Sequence, residues 1–327
     1  MKKRILSGMR PTGRLHLGHL VGALNNWVKL QEEYQCFYMV ADWHALMSEY
    51  EDPKGMKESS YEMVRDFVAA GIDPEKSVIF VQSHVPEHLE LAMVFSDITP
   101  LAWVERVPTY KEQLREIKGR DLTTYGFLGY PVLQAADIAI YKANAVPVGI
   151  DQVPHLELTR EIVRRFNGLY RKNIFPEPEA ILTKTPKLLG LDNRKMSKSF
   201  GNFIALSDTP EAIEKKVTSM ITDPERIKLN DKGHPDICNV FSYFSTFAGG
   251  ELKANVKDWC TGAAKGCTEC KKNLAKVLIE YLEPVRIKRS KLSDSSVEDI
   301  IRQGDKRARL AASETLGEVK RLVNFVA

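Results

Sequence analysis

Two imidazoles three residues apart, with a glycine between them, stand in His16-Leu17-Gly18-His19. They follow a strand-like run and a Pro-Thr-Gly turn, at the point where a helical stretch opens. A helix N-terminus presents unpaired N–H groups and a partial positive charge, so it attracts phosphate. Gly18 has no Cβ, which lets a flat ring such as adenine lie against the backbone. The histidines can donate hydrogen bonds to an α-phosphate as charge builds on it. Further along, Lys195-Met196-Ser197-Lys198-Ser199 supplies two compact, rotatable cations suited to a leaving pyrophosphate. Alone, the first motif also reads as an ordinary helix start and the second as a solvated loop. Together they divide one nucleoside triphosphate between them. His16, His19, Lys195 and Lys198 are therefore the candidate catalytic residues.

A third group is made of sulfur. Four of the five cysteines, Cys238, Cys260, Cys267 and Cys270, fall within 33 residues. In a reducing compartment such a cluster indicates a metal site before it indicates disulfides. Four thiolates hold either zinc or an iron–sulfur cluster. Zinc sites more often combine two Cys-x-x-Cys pairs, and one is present here. Lys265, Lys271 and Lys272 lie around the last two cysteines. A helix is expected to start close behind Cys270, its positive end toward an anionic centre. Cys36 sits in an apolar run and reads as core.

The elements that must position these groups follow from periodicity. Strand-like runs at Arg4–Gly8, Cys36–Ala41 and Val78–Val81 alternate with helical patterns near 17–33 and 56–71. That alternation predicts βαβ units, an α/β fold with a Rossmann-like doubly wound parallel sheet. Strand signals fade beyond about residue 208. Leu274, Val277, Leu278, Tyr281, Leu282 and Val285 then mark one face of a helix. The expected division is a catalytic domain over 1–205, ending in the lysine loop, and a helical region over 206–327. The last helices of that region are placed to pack back on the first domain. A length of 327 residues suits two domains. With 43% hydrophobic and 28% charged residues the chain is not disordered. No apolar run reaches the ~18 residues of a membrane span, and no signal peptide is visible, so a cytoplasmic protein is expected. The net charge of +4 is concentrated at the end, where residues 271–327 hold 13 basic against 8 acidic side chains. A basic end on a mildly acidic body suits contact with a polyanion.

The two nucleotide motifs, intact and in this order, resemble the His-x-Gly-His and Lys-Met-Ser-Lys-Ser signatures of class I aminoacyl-tRNA synthetases. The likeness extends over most of the first 205 residues. Pro11-Thr12-Gly13-Arg14-Leu15, Asp42-Trp43-His44-Ala45, Tyr130-Pro131-Val132-Leu133-Gln134-Ala135-Ala136-Asp137 and Pro147-Val148-Gly149-Ile150-Asp151-Gln152 are similar to the tyrosyl and tryptophanyl subgroup. His155-Leu156-Glu157-Leu158-Thr159-Arg160, with Arg165-Phe166-Asn167 after it, resembles tryptophanyl-tRNA synthetases in particular. Ile150 departs from the pattern, which has an acidic residue there. The resemblance implies activation of L-tryptophan by ATP, with Mg2+ on the triphosphate, then transfer to tRNA(Trp), by a homodimer. It implies ATP contacts at Arg10, Thr12, Gly18, His19, Gly149, Asp151, Lys195, Met196, Ser197 and Lys198. Some bacterial members carry a [4Fe-4S] cluster on a similar cysteine pattern. That turns the open choice of metal toward iron–sulfur, with zinc as the alternative, and toward a clamp shaping the anticodon-binding surface.

Tyr130, Gln134, Asp137 and Tyr141 share one helix face by their spacing, with Pro131 expected at the first helical position. A carboxylate among Val132, Leu133, Ala135, Ala136 and Ile138 needs a partner. An indole N–H is a donor only, so one fixed acceptor complements tryptophan. The resemblance implies that acceptor at Asp137, with Gln134 also in the tryptophan pocket and with Tyr130 and Gln152 at the substrate's amino group. Pairing of Asp137 within the protein is the plainer alternative. Rival functions are a tyrosyl-tRNA synthetase, a non-tRNA adenylyltransferase and a non-catalytic iron–sulfur RNA-binding protein.

Overall fold

The computed structural model describes residues 2–108, 121–182, 188–196 and 200–326. The chain forms two compact units: residues 1–13, 25–184 and 292–327 make the first, and 14–24 and 185–291 the second. Ser197 and Lys198 lie outside the described residues.

The first unit is built on a five-stranded sheet in the order β3-β2-β1-β4-β5, with every pairing parallel. The strands are β1 (Arg4–Met9), β2 (Gln35–Val40), β3 (Val78–Val81), β4 (Ala145–Val148) and β5 (Glu179–Leu182). Cys36 to Val40 and Val78 to Val81 are buried without a break. Continuous burial is what a sheet covered by helices on both faces demands. β1 runs in register with β2 from Arg4↔Gln35 to Met9↔Val40 and meets β4 at Ile5↔Ala145. Strand order reverses between β1 and β4, and such sheets bind ligands beyond the carboxyl ends of the strands at that switch point. Arg10 and Thr12 follow β1 there, and Gly149 follows β4. β4 and β5 carry four residues each and gave no strand signal in the sequence.

The helices of this unit are α1 (Asn25–Glu33), α2 (Asp42–Glu49), α3 (Met56–Ala70), α4 (Glu87–Ile98), α5 (Leu101–Glu105), α6 (Tyr125–Ile140) and α7 (Val153–Leu169). Pro131 does not open α6. Thr124 caps that helix more than a turn earlier by accepting from the Phe127 N–H, so Pro131 sits in the interior. There it removes one backbone hydrogen bond, and burial of Val132, Leu133, Ala135 and Ala136 around it offsets the loss.

The unit is completed by α12 (Asp294–Leu322), capped by Ser293. It covers the outer edge of the sheet at β3. Asp305 Oδ1 accepts from the Val81 N–H at 3.0 Å, and Arg307 donates to the carbonyls of Pro74 and Ser77. A helix laid over an edge strand is one way proteins shield it from pairing with another chain.

In the second unit the expected helix over 17–33 is broken. One α-helical turn at Leu17–His19 runs into a π-helical turn at Leu20–Leu24 before α1 begins. Single π turns recur at functional sites. The remaining helices are α8 (Pro210–Thr218), α9 (Asn239–Phe247), α10 (Gly250–Thr261) and α11 (Cys267–Ser290). α11 buries Leu274, Leu278, Leu282 and Val285, the face read from the sequence. It starts at Cys267 rather than behind Cys270, with Gly266 as its N-cap. Among the described residues no helix is long and apolar enough to cross a membrane.

Candidate active site and cysteine centre

The histidine motif is a self-capped turn. His16 Nδ1 accepts from the Gly18 N–H, and His19 Nδ1 accepts from the His16 N–H, both at 3.2 Å. Accepting at Nδ1 leaves the ring hydrogens on Nε2, the atoms that would donate to a phosphate. The turn is zipped to the segment behind the lysine loop: Leu17 donates to the Ile204 carbonyl and Leu206 to the Leu15 carbonyl. Lys195 pairs with Leu189 in a β-bridge, and the Asn202 amide donates to the Lys195 carbonyl. A Cβ on Gly18 would stand 3.2 Å from Met196 Sδ and 3.0 Å from the His16 ring. The second unit therefore brings Gly18 and Met196 together.

At the switch point of the first unit, a Cβ on Gly149 would come within 2.5 Å of Asp151 Oδ1, so the Asp151 carboxylate lies directly over that turn. Asp151 accepts from the Gln152 amide at 2.9 Å. Ile150, between them, is 75% exposed and contributes nothing to the core. Gln134 and Gln152 are half-buried, whereas Arg10 is exposed.

Tyr130 Oη lies 3.3 Å from Nε2 of the buried His155. Burial lowers the His155 pKa to about 4, helped by repulsion from His44 and opposed by Asp151. A folded pKa below the unfolded value of ~6.5 favours the native state fully above pH 6.5, and that contribution fades as pH falls toward 4. Wild type is expected to lose about 3 kcal/mol relative to His155→Asn between pH 7 and pH 4. Urea midpoints of both proteins across that range test it, and parallel curves would contradict it.

Asp137 is the most heavily engaged side chain of the candidate site. It is 1% exposed, on α6. Its Oδ1 accepts from Gln82 Nε2 at 2.9 Å and from His88 Nδ1 at 2.6 Å, and its Oδ2 accepts from His44 Nε2 at 2.7 Å. Burial pushes the carboxyl pKa up, but the hydrogen bonds from His44 and His88 outweigh it and hold it at about 2. A carboxylate has about four lone-pair sites, so three contacts leave one, on Oδ2. Sequence reasoning assigned no role to His44, Gln82 or His88. His44 stood inside a recognised motif and Gln82 directly follows β3, but no local pattern marked His88.

The four clustered cysteines line one cavity in the second unit, together with Arg226 and Lys265. Cys238 caps α9, and its sulfur faces the backbone N–H groups of Phe241, Val240 and Asp223. Cys260 lies in the last turn of α10, and Cys267 and Cys270 in the first turn of α11. Arg226 Nη1 is 4.0 Å from Cys267 Sγ, while its Nη2 donates to the carbonyls of Leu229 and Lys265. Burial, then the neighbouring sulfurs, pushes the Cys270 thiol up to about 12. Among the described residues no group of three or more His, Cys, Asp or Glu side chains is close enough to hold a single ion. Cys36 is fully buried in β2, as read from the sequence.

Comparison with known proteins agrees with both halves of this geometry. Residues 1–283 match the family described as tRNA synthetases class I (W and Y). The tryptophan–tRNA ligase of Thermotoga maritima is 55% identical over 327 residues, 99% of each chain. That of Aquifex aeolicus is 44% identical, covering 98% of this chain and all of its own. Among solved structures, Campylobacter jejuni tryptophanyl-tRNA synthetase complexed with ADP and tryptophan superposes with a TM-score of 0.90 at 32% identity, over 98% of this chain and 100% of that one. The sheet order, the joined nucleotide motifs and the matched length lead to one assignment: the chain belongs to the class I tRNA synthetases for tryptophan and tyrosine.

Proposed function

We infer that the protein is a tryptophan–tRNA ligase. The observation that carries the nucleotide chemistry is the seating of Met196 against the His16–His19 turn. Selection of tryptophan over tyrosine is supported by full-length likeness to tryptophan–tRNA ligases. In the first step a tryptophan carboxylate oxygen attacks the α-phosphorus of ATP, the bond to the β-phosphate oxygen breaks, and pyrophosphate leaves. No protein nucleophile or general base is required, so catalysis is positioning and charge neutralisation. His16 and His19 donate from Nε2 to the α-phosphate, and Lys195 and Lys198 neutralise the departing phosphates alongside Mg2+. Arg10, Thr12, Gly149 and Asp151 border the nucleotide. In the amino-acid pocket Tyr130 and Gln152 hold the amino group, Gln134 lies alongside, and Asp137 accepts from the indole N–H. A ribose hydroxyl at the tRNA 3′ end then attacks the tryptophanyl carbonyl, and AMP leaves. Exchange of labelled pyrophosphate into ATP is expected with tryptophan and not with tyrosine, and charging with tRNA(Trp). Exchange with tyrosine alone would overturn the reading.

The cysteine centre fits a [4Fe-4S] cluster. Thiols disposed around a cavity suit a polynuclear cluster better than a single ion, whose ligands meet about 2.3 Å from it. Cys238, Cys260, Cys267 and Cys270 would hold the cluster. Backbone N–H groups at Cys238, Arg226 and the N-terminus of α11 offset its negative charge. Its role is structural, fixing the loops of the second unit for the anticodon. Anaerobically purified protein is expected to show a broad band near ~400 nm that Cys270→Ser abolishes. That variant is expected to raise the KM for tRNA several-fold and leave tryptophan-dependent exchange within about twofold. A colourless protein containing zinc would make zinc the occupant.

A further inference from the structure

The wall around Asp137 contains a relay that the reaction as described does not use. His88 lies fully buried on α4 and joins Asp137 of α6 to Tyr141, the residue that caps the end of that helix. Its Nδ1 is 2.6 Å from Asp137 Oδ1, and its Nε2 is 2.7 Å from the hydroxyl of Tyr141. Tyr141 is itself fully buried and stacked on Phe37 at 4.4 Å, so its hydroxyl cannot swing away. A carboxylate only accepts, so the imidazole nitrogen facing it carries hydrogen. Burial, reinforced by the charge of Asp137, keeps the phenol protonated, and its O–H points to Nε2. The tautomer of His88 is thereby set by Asp137, and the Tyr141 hydroxyl complements it by donating to the bare Nε2.

The other two donors to Asp137 are fixed in the same way. The Gln82 side-chain oxygen takes the His44 backbone N–H at 3.4 Å, which orients its amide nitrogen toward Asp137. His44 contributes Nε2–H to Oδ2. Both imidazole donors on this wall are therefore committed to Asp137, and one lone pair of Oδ2 remains. That arrangement distinguishes two ligand chemistries. An indole N–H donates once and asks for nothing back. A phenol hydroxyl also donates, but it brings oxygen lone pairs that find no imidazole donor left, and a buried unpaired oxygen is penalised.

We propose that His88, donating Nδ1–H to Asp137 and held at Nε2 by the buried Tyr141 hydroxyl, is a positioning residue for amino-acid selection that keeps Asp137 an acceptor with its donors already spent, and so favours the donor-only indole over a phenol. The inference rests on the reading of Asp137 as the indole acceptor and adds the device that sets its selectivity. Nitrogen NMR of imidazole-labelled protein at pH 7 is expected to place the His88 hydrogen on Nδ1. A hydrogen on Nε2 alone would overturn the relay. In pyrophosphate exchange, His88→Leu is expected to raise the KM for tryptophan at least tenfold, with kcat within about threefold. It should also lower the tryptophan-to-tyrosine preference in kcat/KM by at least tenfold. His88→Asn, whose amide nitrogen stands near the position of Nδ1, should recover most of the KM. Equal KM values in wild type and a folded Leu variant overturn the proposal, as does an Asn variant no better than Leu. Asp137→Asn separates the layers. If it leaves KM unchanged the acceptor reading itself fails. If it raises KM while His88→Leu does not, only the relay fails.

Discussion

Asp137→Asn is expected to lower kcat/KM for tryptophan in ATP–pyrophosphate exchange by about 10²- to 10⁴-fold, carried mainly by KM. The native carboxylate is met by His44, Gln82 and His88, all of them donors. An amide puts an NH2 group among those donors and removes the lone pair proposed for the indole. A site built to hydrogen-bond a substrate group loses far more than one apolar contact when the pairing fails, because buried polar atoms are left without partners. The variant's thermal midpoint should be recorded beside its kinetics, since the same mismatch weakens the core. Kinetics within threefold of wild type would remove Asp137 from the tryptophan pocket.

Gly304→Ala is the second large effect, on stability rather than chemistry. A Cβ at that position of α12 would stand 1.7 Å from the Ile79 carbonyl oxygen and 2.6 Å from its carbon. Both neighbours are backbone, in the centre of β3, so no rotamer relieves the overlap. α12 must retreat from the strand, loosening the bond from the Val81 N–H to Asp305 and the pairing of Asp305 with His84 at 2.6 Å. Alanine brings about 1 kcal/mol of helix propensity over glycine. The overlap outweighs it, and a net destabilisation of about 3 to 5 kcal/mol is expected. Denaturant unfolding measures it, and a variant as stable as wild type would show that α12 does not seat on β3.

Much of this organisation was legible in the sequence where it is local. The sequence marked β1, β2 and β3 to within a residue, and the runs of β2 and β3 are buried without a break, which leaves no alternation to misread. The His16–His19 and Lys195–Met196 motifs named the nucleotide chemistry, and the spacing of the cysteines marked the residues that line one cavity. What escaped was long-range or cap-dependent. Asp137 meets its donors across 49, 55 and 93 residues of chain, and periodicity says nothing about such distances. Pro131 misled because its preference for a first turn yielded to the Thr124 cap and a buried helix face. β4 is interrupted by Pro147 and β5 is only half-buried and opens on Glu179, so neither reads as an apolar run, and α12 shows an amphipathic face without revealing that it covers β3.

The central claim is that tryptophan is chosen through a single hydrogen bond donated to Asp137. Its most direct test is pyrophosphate exchange by the wild-type protein with tryptophan against β-(3-benzothienyl)alanine, in which sulfur replaces the indole N–H at nearly the same shape. The account predicts a kcat/KM at least about 10²-fold lower for the sulfur analogue, with most of the loss in KM. Equal activation of the two would contradict it.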